Sequence, residues 1–431
     1  MKRLLASSLI TLFILTRCDI PPNNAPESSP AFSLPSSSPN PTETPISKPS
    51  ETTQDSLDAL VRIDALAAAQ QEHIAQEPRI KLLELENPLD DSEYWLASVQ
   101  FEAHHPFLAV YQNHDDGWHA VTQLMPSEEN NLPTTIRYVS QTQVDSSRIW
   151  IEITGGCFNS GSQFTLLGFD GNQFESVLSH CAGGSAGING MLYLDSDNTP
   201  EAVLDTTDYV TANYLGVPEV MQNIMRWDGE HFVLVSLTRL NGDDQDQVQQ
   251  LNNRAVDLAE ANLWKDAIEI IAQVGPLAPN NEIVQWNLQL IQLTGEQRKV
   301  QSDMMIIPFF SLLYYGDYAR MVDMFRSSSP EQNFSSQPYI LDFTIVGEMV
   351  NLVPPDAFEV INVVSQYTNR ALEIAGPHQA AVYFVRGWAR YRVNPGDQNA
   401  FEDLAKAVEL APDEPLFSDS LTYLQSLPGE E

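Results

Sequence analysis

Aromatic and basic side chains are mixed over a short stretch near the carboxyl end of the chain. Its members are Phe384, Arg386, Trp388, Arg390, Tyr391 and Arg392. Guanidinium groups beside aromatic rings suit the carboxylates of an acidic peptide, through bidentate hydrogen bonds and stacking. In the alternative, Phe384 and Trp388 pack in the core and the arginines pair with nearby acids such as Glu402 and Asp403. The stretch therefore predicts a partner-binding surface and leaves a purely structural role open.

A serine between glycines is a candidate nucleophile. Gly183-Gly184-Ser185-Ala186-Gly187 has the Gly-x-Ser-x-Gly spacing of a hydrolase turn, which requires a strand before it and a helix after it. A strand-like run follows instead, and the later histidines are His231 and His378. We therefore predict no catalytic residues and no enzyme activity. An extracytoplasmic hydrolase with its site in the β-rich region is the alternative.

Acidic residues at alternate positions suggest a cation loop. The segment 195–201 follows the strand-like run 191–194 and resembles the Asp-x-Asp-x-Asp-Gly calcium loop of integrin-type β-repeats. Thr199 replaces the third acid and Pro200 replaces the glycine. The weak metal candidates are Asp195, Asp197 and Glu201. We expect no cofactor, with a calcium- or carbohydrate-binding β module as a further alternative.

The composition limits the class of protein. The chain has 431 residues, 43% of them apolar, which is enough for two or three folded domains. Its 22 basic and 58 acidic side chains give a net charge of −36, which would repel a phosphate backbone. Nucleic acid is therefore excluded as an expected partner. The 3 cysteines are too few for a disulfide-built scaffold or a four-cysteine zinc site.

The amino terminus carries an export pattern. Lys2 and Arg3 precede an apolar run from 4 to 15, which is too short to span a membrane as a helix. The run ends in Leu15-Thr16-Arg17-Cys18 and resembles a bacterial lipoprotein signal, which implies cleavage and a lipid on Cys18. Arg17 departs from the small residue expected there, and an uncleaved apolar anchor is the alternative. Residues 1–18 are thus a predicted signal, and 19–55, rich in Pro and Ser, a disordered linker.

The remaining cysteines form an even pair if Cys18 carries lipid. Cys157 and Cys181 lie in glycine-rich surroundings on either side of a predicted hairpin. In an oxidising compartment a disulfide between them would close a loop and stabilise the folded state by roughly 3 kcal/mol. Two buried free thiols are the alternative.

Residues 56–240 predict a β-rich domain with an amino-terminal helix over 56–78. Asp-Gly pairs at Asp116-Gly117, Asp170-Gly171 and Asp228-Gly229 each separate two apolar runs, at similar intervals. Asp-Gly between alternating apolar residues is a strong hairpin signal. We predict three similar sheet units, arranged as an irregular sandwich or in a propeller-like manner.

After a polar break the apolar period becomes helical. Residues 251–279 and 381–414 resemble tetratricopeptide (TPR) repeats, with small residues where two helices cross and prolines at the exits. Ala255, Ala267 and Pro279 take these places in the first copy, and Gly387 and Ala400 take two of them in the last. Partial copies lie between. The resemblance covers 248–425 and implies stacked helical hairpins with a concave groove.

Together these patterns predict a multidomain fold, an N-terminal β-rich (α+β) domain followed by an all-α TPR-like helical solenoid. The TPR resemblance implies a groove for an extended peptide or a partner helix. It places five residues of the carboxyl-terminal stretch on or beside that groove: Phe384, Trp388, Arg390, Tyr391 and Arg392. We expect an exported, lipid-anchored protein of the bacterial cell envelope that binds other envelope proteins or peptides as a scaffold.

Overall fold

The computed structural model describes residues 51–427 apart from 72–76, 102–103, 126–131, 158–160, 184–188, 195–198, 208–218, 243–245, 304–307, 336–356, 375 and 377. Antiparallel sheets come first and a series of helices follows, which confirms the predicted order of a β-rich and a helical part. The predicted signal, Cys18 and most of the predicted linker lie outside the described residues. So do Asp195, Asp197 and Ser185. No described helix is long and apolar enough to cross a membrane.

Helix α1 (Glu51–Gln71) opens the described chain and starts inside the segment predicted as linker. Leu57, Val61 and Ala65 recur at intervals of four and are all fully buried. The helix therefore covers a neighbour with one apolar stripe.

Twelve described strands form three sheets of four, each an antiparallel meander in which every strand pairs with the next. The first sheet contains β1 (Arg79–Leu85), β2 (Tyr94–Phe101), β3 (His104–His114) and β4 (Gly117–Leu124). The second contains β5 (Thr135–Thr142), β6 (Ile149–Gly156), β7 (Ser162–Phe169) and β8 (Phe174–Ala182). The third contains β9 (Gly190–Leu192), β10 (Glu201–Asp205), β11 (Gln222–Trp227) and β12 (Phe232–Val235). The prediction of three similar units is confirmed.

Each Asp-Gly turn joins the third and fourth strands of its sheet. Gly117, Gly171 and Gly229 have φ of 121°, 95° and 106°, a region that favours glycine. Asp170 and Asp228 accept hydrogen bonds from backbone N–H groups two and three residues further on. The turn chemistry therefore fixes the same hairpin in each unit.

The sheets are stacked face to face. Successive residues of β2 face opposite layers: Trp95 and Ala97 pack on α1, whereas Leu96 packs on the second sheet. The first and second sheets meet through Leu96, Leu108, Val110, Ile151, Ile153 and Leu167. The second and third meet through Trp150, Phe164, Leu166, Ala202 and Leu204. The first sheet thus lies between α1 and the second sheet, and the second sheet lies between its two neighbours. The third sheet lies between the second sheet and a helix of the helical part.

The helical part contains ten described α-helices. They are α2 (Gln247–Glu260), α3 (Trp264–Val274), α4 (Glu282–Asp303), α5 (Pro308–Tyr315), α6 (Tyr318–Arg326), α7 (Pro330–Asn333), α8 (Ala357–Glu373), α9 (Gln379–Val393), α10 (Gln398–Leu410) and α11 (Pro415–Ser426). Helices adjacent in sequence pack together from α2 to α6 and from α8 to α11, and α5 and α6 contact α8 and α9. One continuous apolar core joins them.

Small residues allow close helix crossings where the sequence predicted them. Ala255 and Ala267 are fully buried between α2 and α3. A Cβ on Gly387 would lie 2.9 Å from a side-chain carbon of Leu404 and 3.0 Å from the carbonyl oxygen of Ala400. Helices α9 and α10 therefore approach as closely as their backbones allow at this point.

Candidate partner-binding site

The aromatic residues of α9 lie in the core. Phe384, Trp388 and Tyr391 are 0%, 1% and 9% exposed. The Trp388 ring lies 5.1 Å from that of Phe309 and 5.2 Å from that of Phe325, and its Nε1 donates to the Asn333 carbonyl at 2.8 Å. The predicted position of these rings on an open groove is therefore wrong, because α5, α6 and α7 cover this face of α9.

The neighbouring arginines are bound within the protein. Arg386 donates through Nε and Nη2 to both oxygens of Asp403, at 2.8 and 2.7 Å, and Arg390 donates through Nη1 to the same carboxylate at 2.6 Å. Arg392 donates to the carbonyl of Ser335, and burial lowers the pKa of its guanidinium. The structural alternative, pairing with Asp403, describes this stretch; Arg390 and Arg392 do not form a free basic surface.

Cys157 and Cys181 form the predicted disulfide, with their Cα atoms 6.1 Å apart. The bond joins the end of β6 to β8 and closes a loop over a sequence separation of 24. A structural disulfide indicates an oxidising, extracytoplasmic compartment.

The cation and serine candidates are only partly described. Glu201 is fully buried in β10, and its Oε2 accepts a hydrogen bond from the backbone N–H of Leu194 at 3.0 Å. Among the described residues, no three His, Cys, Asp or Glu side chains are grouped closely enough to hold a metal. The calcium loop and the hydrolase site, the two alternatives, both depend on residues outside the described ranges and stay untested.

A second site lies where the chain passes from β12 to α2. Residues 237–240 run past α2 and α4, and asparagine side chains bind their backbone. Asn287 accepts from the N–H of Thr238 at 2.9 Å and donates to its carbonyl at 2.7 Å. Asn253 likewise accepts from the N–H of Leu240 at 2.7 Å and donates to its carbonyl at 2.9 Å. Each amide thus satisfies both backbone groups of one residue.

The side chains of this segment also have dedicated contacts. Arg239 donates through Nε to Asp257 at 2.9 Å and pairs with Glu260, and these carboxylates raise the pKa of the Arg239 guanidinium. Leu237 and Leu240 pack on the core of the helical part. Helices α2 and α4 therefore bind an extended chain by its backbone, its charge and its apolar side chains.

A groove of about 380 Å³ lies beside this segment, between β12 and the first turns of α4. Its walls include Val233, Leu234, Ile283 and Trp286. Arg226 lies over the Trp286 ring, 5.5 Å from its centre, and donates to Glu282 at 2.6 Å. We name the groove and the asparagine-bound segment together the junction site.

One sequence signal points to the junction site. Asparagine is a poor helix former, because its amide competes for backbone hydrogen bonds. Asn252 and Asn253 nevertheless stand together inside α2, and Asn287 stands inside α4. Asn252 and Asn287 are fully buried and bonded to each other at 2.8 Å. Buried asparagines inside predicted helices could therefore have marked this surface.

No protein-family model matches this sequence, and no curated protein is significantly similar to it.

Proposed function

We propose that this protein is an exported, lipid-anchored scaffold of the bacterial cell envelope that binds extended segments of other envelope proteins through TPR-like helices. The observation that carries the proposal is the binding of residues 237–240 by α2 and α4. Asn253 and Asn287 bind backbone groups there, which any sequence offers, so the same chemistry suits a partner's segment.

The disulfide and the amino-terminal sequence support the proposed location in the cell envelope. The disulfide between Cys157 and Cys181 suits an oxidising compartment. The apolar run ending at Cys18 resembles a lipoprotein signal, and the Pro- and Ser-rich residues after it would hold the folded part away from a membrane. A tethered body with a binding surface is the arrangement that an envelope scaffold requires.

Photo-crosslinking in intact cells tests the binding role. A photoreactive amino acid replaces Ile283, which is 38% exposed at the groove, and in a matched strain it replaces Tyr138, which is 57% exposed on β5. We expect discrete adducts with envelope proteins from position 283 and none from position 138. The same pattern from both positions, or adducts from neither, would contradict the proposal.

Cell fractionation tests the anchor. Cys18→Ser removes the proposed lipid acceptor, so the protein should move from the membrane fraction to the soluble extracytoplasmic fraction. Cys157→Ser is the control, because it removes a cysteine without affecting the anchor. A Cys18→Ser protein that stays with the membrane would show that lipid on Cys18 is not what holds it there.

A further inference from the structure

We infer that β12 receives an extended, basic segment of a partner protein as an additional strand. The inference rests on the proposed binding function and names the partner's chemistry. Within the described strands, β12 pairs with β11 on one side and forms an edge of the third sheet. Val233 and Leu234 on this strand are 43% and 57% exposed. Exposed aliphatic residues on a sheet edge invite pairing with another chain, and proteins usually avoid them.

The other two sheets provide an internal comparison. Strands β4 and β8 occupy the same fourth position but have 8 and 9 residues, whereas β12 has 4. The exposed residues of β4 are His119, Ala120 and Gln123, and Glu175 is exposed on β8. Among these three last strands, only β12 therefore exposes large aliphatic side chains to solvent, although all three units share one topology.

The short length of β12 has a structural cause that also creates room for a strand. Asn287 holds both backbone groups of Thr238, so the chain leaves the sheet after Val235 and turns toward the helices. The groove opens where the strand stops, with Trp286 and Ile283 as its helical wall. Because side chains alternate along a strand, a segment added to β12 would place every second side chain in this groove.

Charge decides which segment fits. The chain carries a net charge of −36, so a second copy would bring the same acidic field to the contact. Glu282 lies at the groove with its side chain 70% exposed and paired on one oxygen with Arg226, and Glu230 is exposed in the turn before β12. Lysine or arginine between aliphatic residues would meet these carboxylates. Residues 237–240, with Arg239 between leucines and bound by Asp257 and Glu260, show the same combination bound on the neighbouring surface.

The test uses the whole protein and three synthetic eight-residue peptides. The first alternates valine and lysine, the second alternates valine and glutamate, and the third is the valine–lysine peptide with every backbone nitrogen methylated. The third keeps charge and side chains but cannot pair as a strand. We expect the first peptide to bind at least tenfold more tightly than either of the others in fluorescence anisotropy. Equal binding of the first and third would show simple charge attraction and overturn the inference.

Two variants locate the binding. Leu234→Lys puts a repelling charge on the exposed edge and should weaken binding of the valine–lysine peptide about tenfold, whereas Ala120→Lys on β4 should leave it unchanged. Hydrogen exchange of the complex should show new amide protection in β12 and none in β4 or β8. Equal effects of the two variants, or no protection in β12, would overturn the inference.

The remaining outcomes separate this inference from the proposed function. A dimer in light scattering that Leu234→Lys dissociates would make a second copy the occupant and overturn the choice of partner. Crosslinks from position 283 without peptide binding would leave the scaffold role standing and refute strand addition. Peptide binding without any crosslink in cells would support strand addition and contradict the proposed binding of envelope proteins.

Discussion

Asp403 holds two guanidinium groups, and its side chain is 6% exposed. Asp403→Asn keeps the shape but leaves Arg386 and Arg390 without their shared countercharge. Because both arginines retain some contact with water, we expect the free energy of unfolding to fall by about 2 to 3 kcal/mol, below the full cost of breaking a buried pair. Urea denaturation at neutral pH measures the change.

Glu402→Gln is the matched control for Asp403→Asn, since Glu402 is exposed on the same turn of α10 and loses the same charge. Its effect should stay within about 0.5 kcal/mol, as is usual for surface changes. Equal losses in both variants would show that net charge, and not the shared ion pair, is responsible. The same geometry means that Arg390→Glu would place two carboxylates together and destabilise α9 and α10, so a loss of partner capture in that variant would not identify a binding site.

His378 gives a pH-dependent contact. Its Nε2 lies 3.4 Å from Oδ1 of Asp266 on α3, and this partner raises the pKa of His378 above the ordinary 6.5. A raised pKa stabilises the fold below 6.5, and the contribution is lost as pH rises through the higher folded value. His378→Gln should therefore be less stable than the native protein at about pH 5.5, by less than about 1 kcal/mol because both groups are partly exposed.

Thermal unfolding of the native and His378→Gln proteins at about pH 5.5 and pH 8.5 measures this contribution. Asp266→Asn should produce the same loss at the lower pH, and the double variant should lose no more than either single one. A difference between native and His378→Gln that is equal at both pH values would exclude the titration of this pair as its cause.

At the scale of elements, the asparagines that bind residues 237–240 decide where β12 ends. Asn287→Ala removes both bonds to Thr238, and we expect a loss of about 2 kcal/mol from the segment's local stability. Trypsin cleaves after Arg239, so the rate of cleavage before Leu240 reports how often the segment opens. That rate should rise at least tenfold, whereas Gln273→Ala on the exposed face of α3 should leave it unchanged. Unchanged cleavage in Asn287→Ala would show that other contacts hold the segment.

The order of the strands and helices was predictable from the sequence. Which elements pack over one another was not. The Asp-Gly pairs predicted one hairpin per sheet because their turn chemistry is local. Helical periodicity correctly grouped Phe384, Trp388 and Tyr391 but could not show which helices cover them. Residues 237–240 carry no strong local pattern, and their position depends on Asn253 and Asn287, which are distant in sequence. Long-range contacts therefore account for most of what the sequence did not predict.

At the scale of the whole described chain, the layers depend on one another. Helix α1 covers the outer face of the first sheet, where Tyr111 donates to Asp64 at 2.9 Å. Helix α4 covers the outer face of the third sheet with Trp286 and Leu290, which pack on Val203. A sheet with two apolar faces requires a cover on both. The β-rich part is therefore completed by a helix that belongs to the helical part.

An ion pair between a buried arginine and a partly exposed glutamate forms a second connection between the two parts. Arg298 on α4 is 3% exposed and donates to Glu219, which precedes β11, at 2.7 Å. The same guanidinium donates to the Tyr314 carbonyl at 2.8 Å and lies 5.0 Å from the centre of the Trp264 ring. Glu219 of the β-rich part thus balances the charge of Arg298, whereas Tyr314 and Trp264 of the helical part fix the position of its guanidinium.

These connections predict that the two parts unfold together. Pulse-labelling hydrogen exchange in urea follows peptides from β6 and α9 separately, and in the native protein their midpoints should coincide. Arg298→Ala leaves the Glu219 carboxylate without its cation and removes the contact with Trp264. Because Glu219 retains some contact with water, we expect a loss of about 2 to 3 kcal/mol, below the full cost of breaking a buried pair. The β6 peptide should then unfold at lower urea than the α9 peptide, because the third sheet loses the helix that covers it and β6 packs on that sheet through Trp150.

Arg320→Ala is the control, because its pair with Asp303 lies 2.9 Å apart at the surface and such pairs contribute at most about 1 kcal/mol. It should leave the two midpoints together. Separate midpoints in the native protein would mean that the sheets hold their outer face without α4, and the junction site would then lie between two independently stable parts. Coincident midpoints that only Arg298→Ala separates would instead make the junction a site whose shape depends on both parts being folded, so a segment bound there would stabilise the sheets and the helices at once.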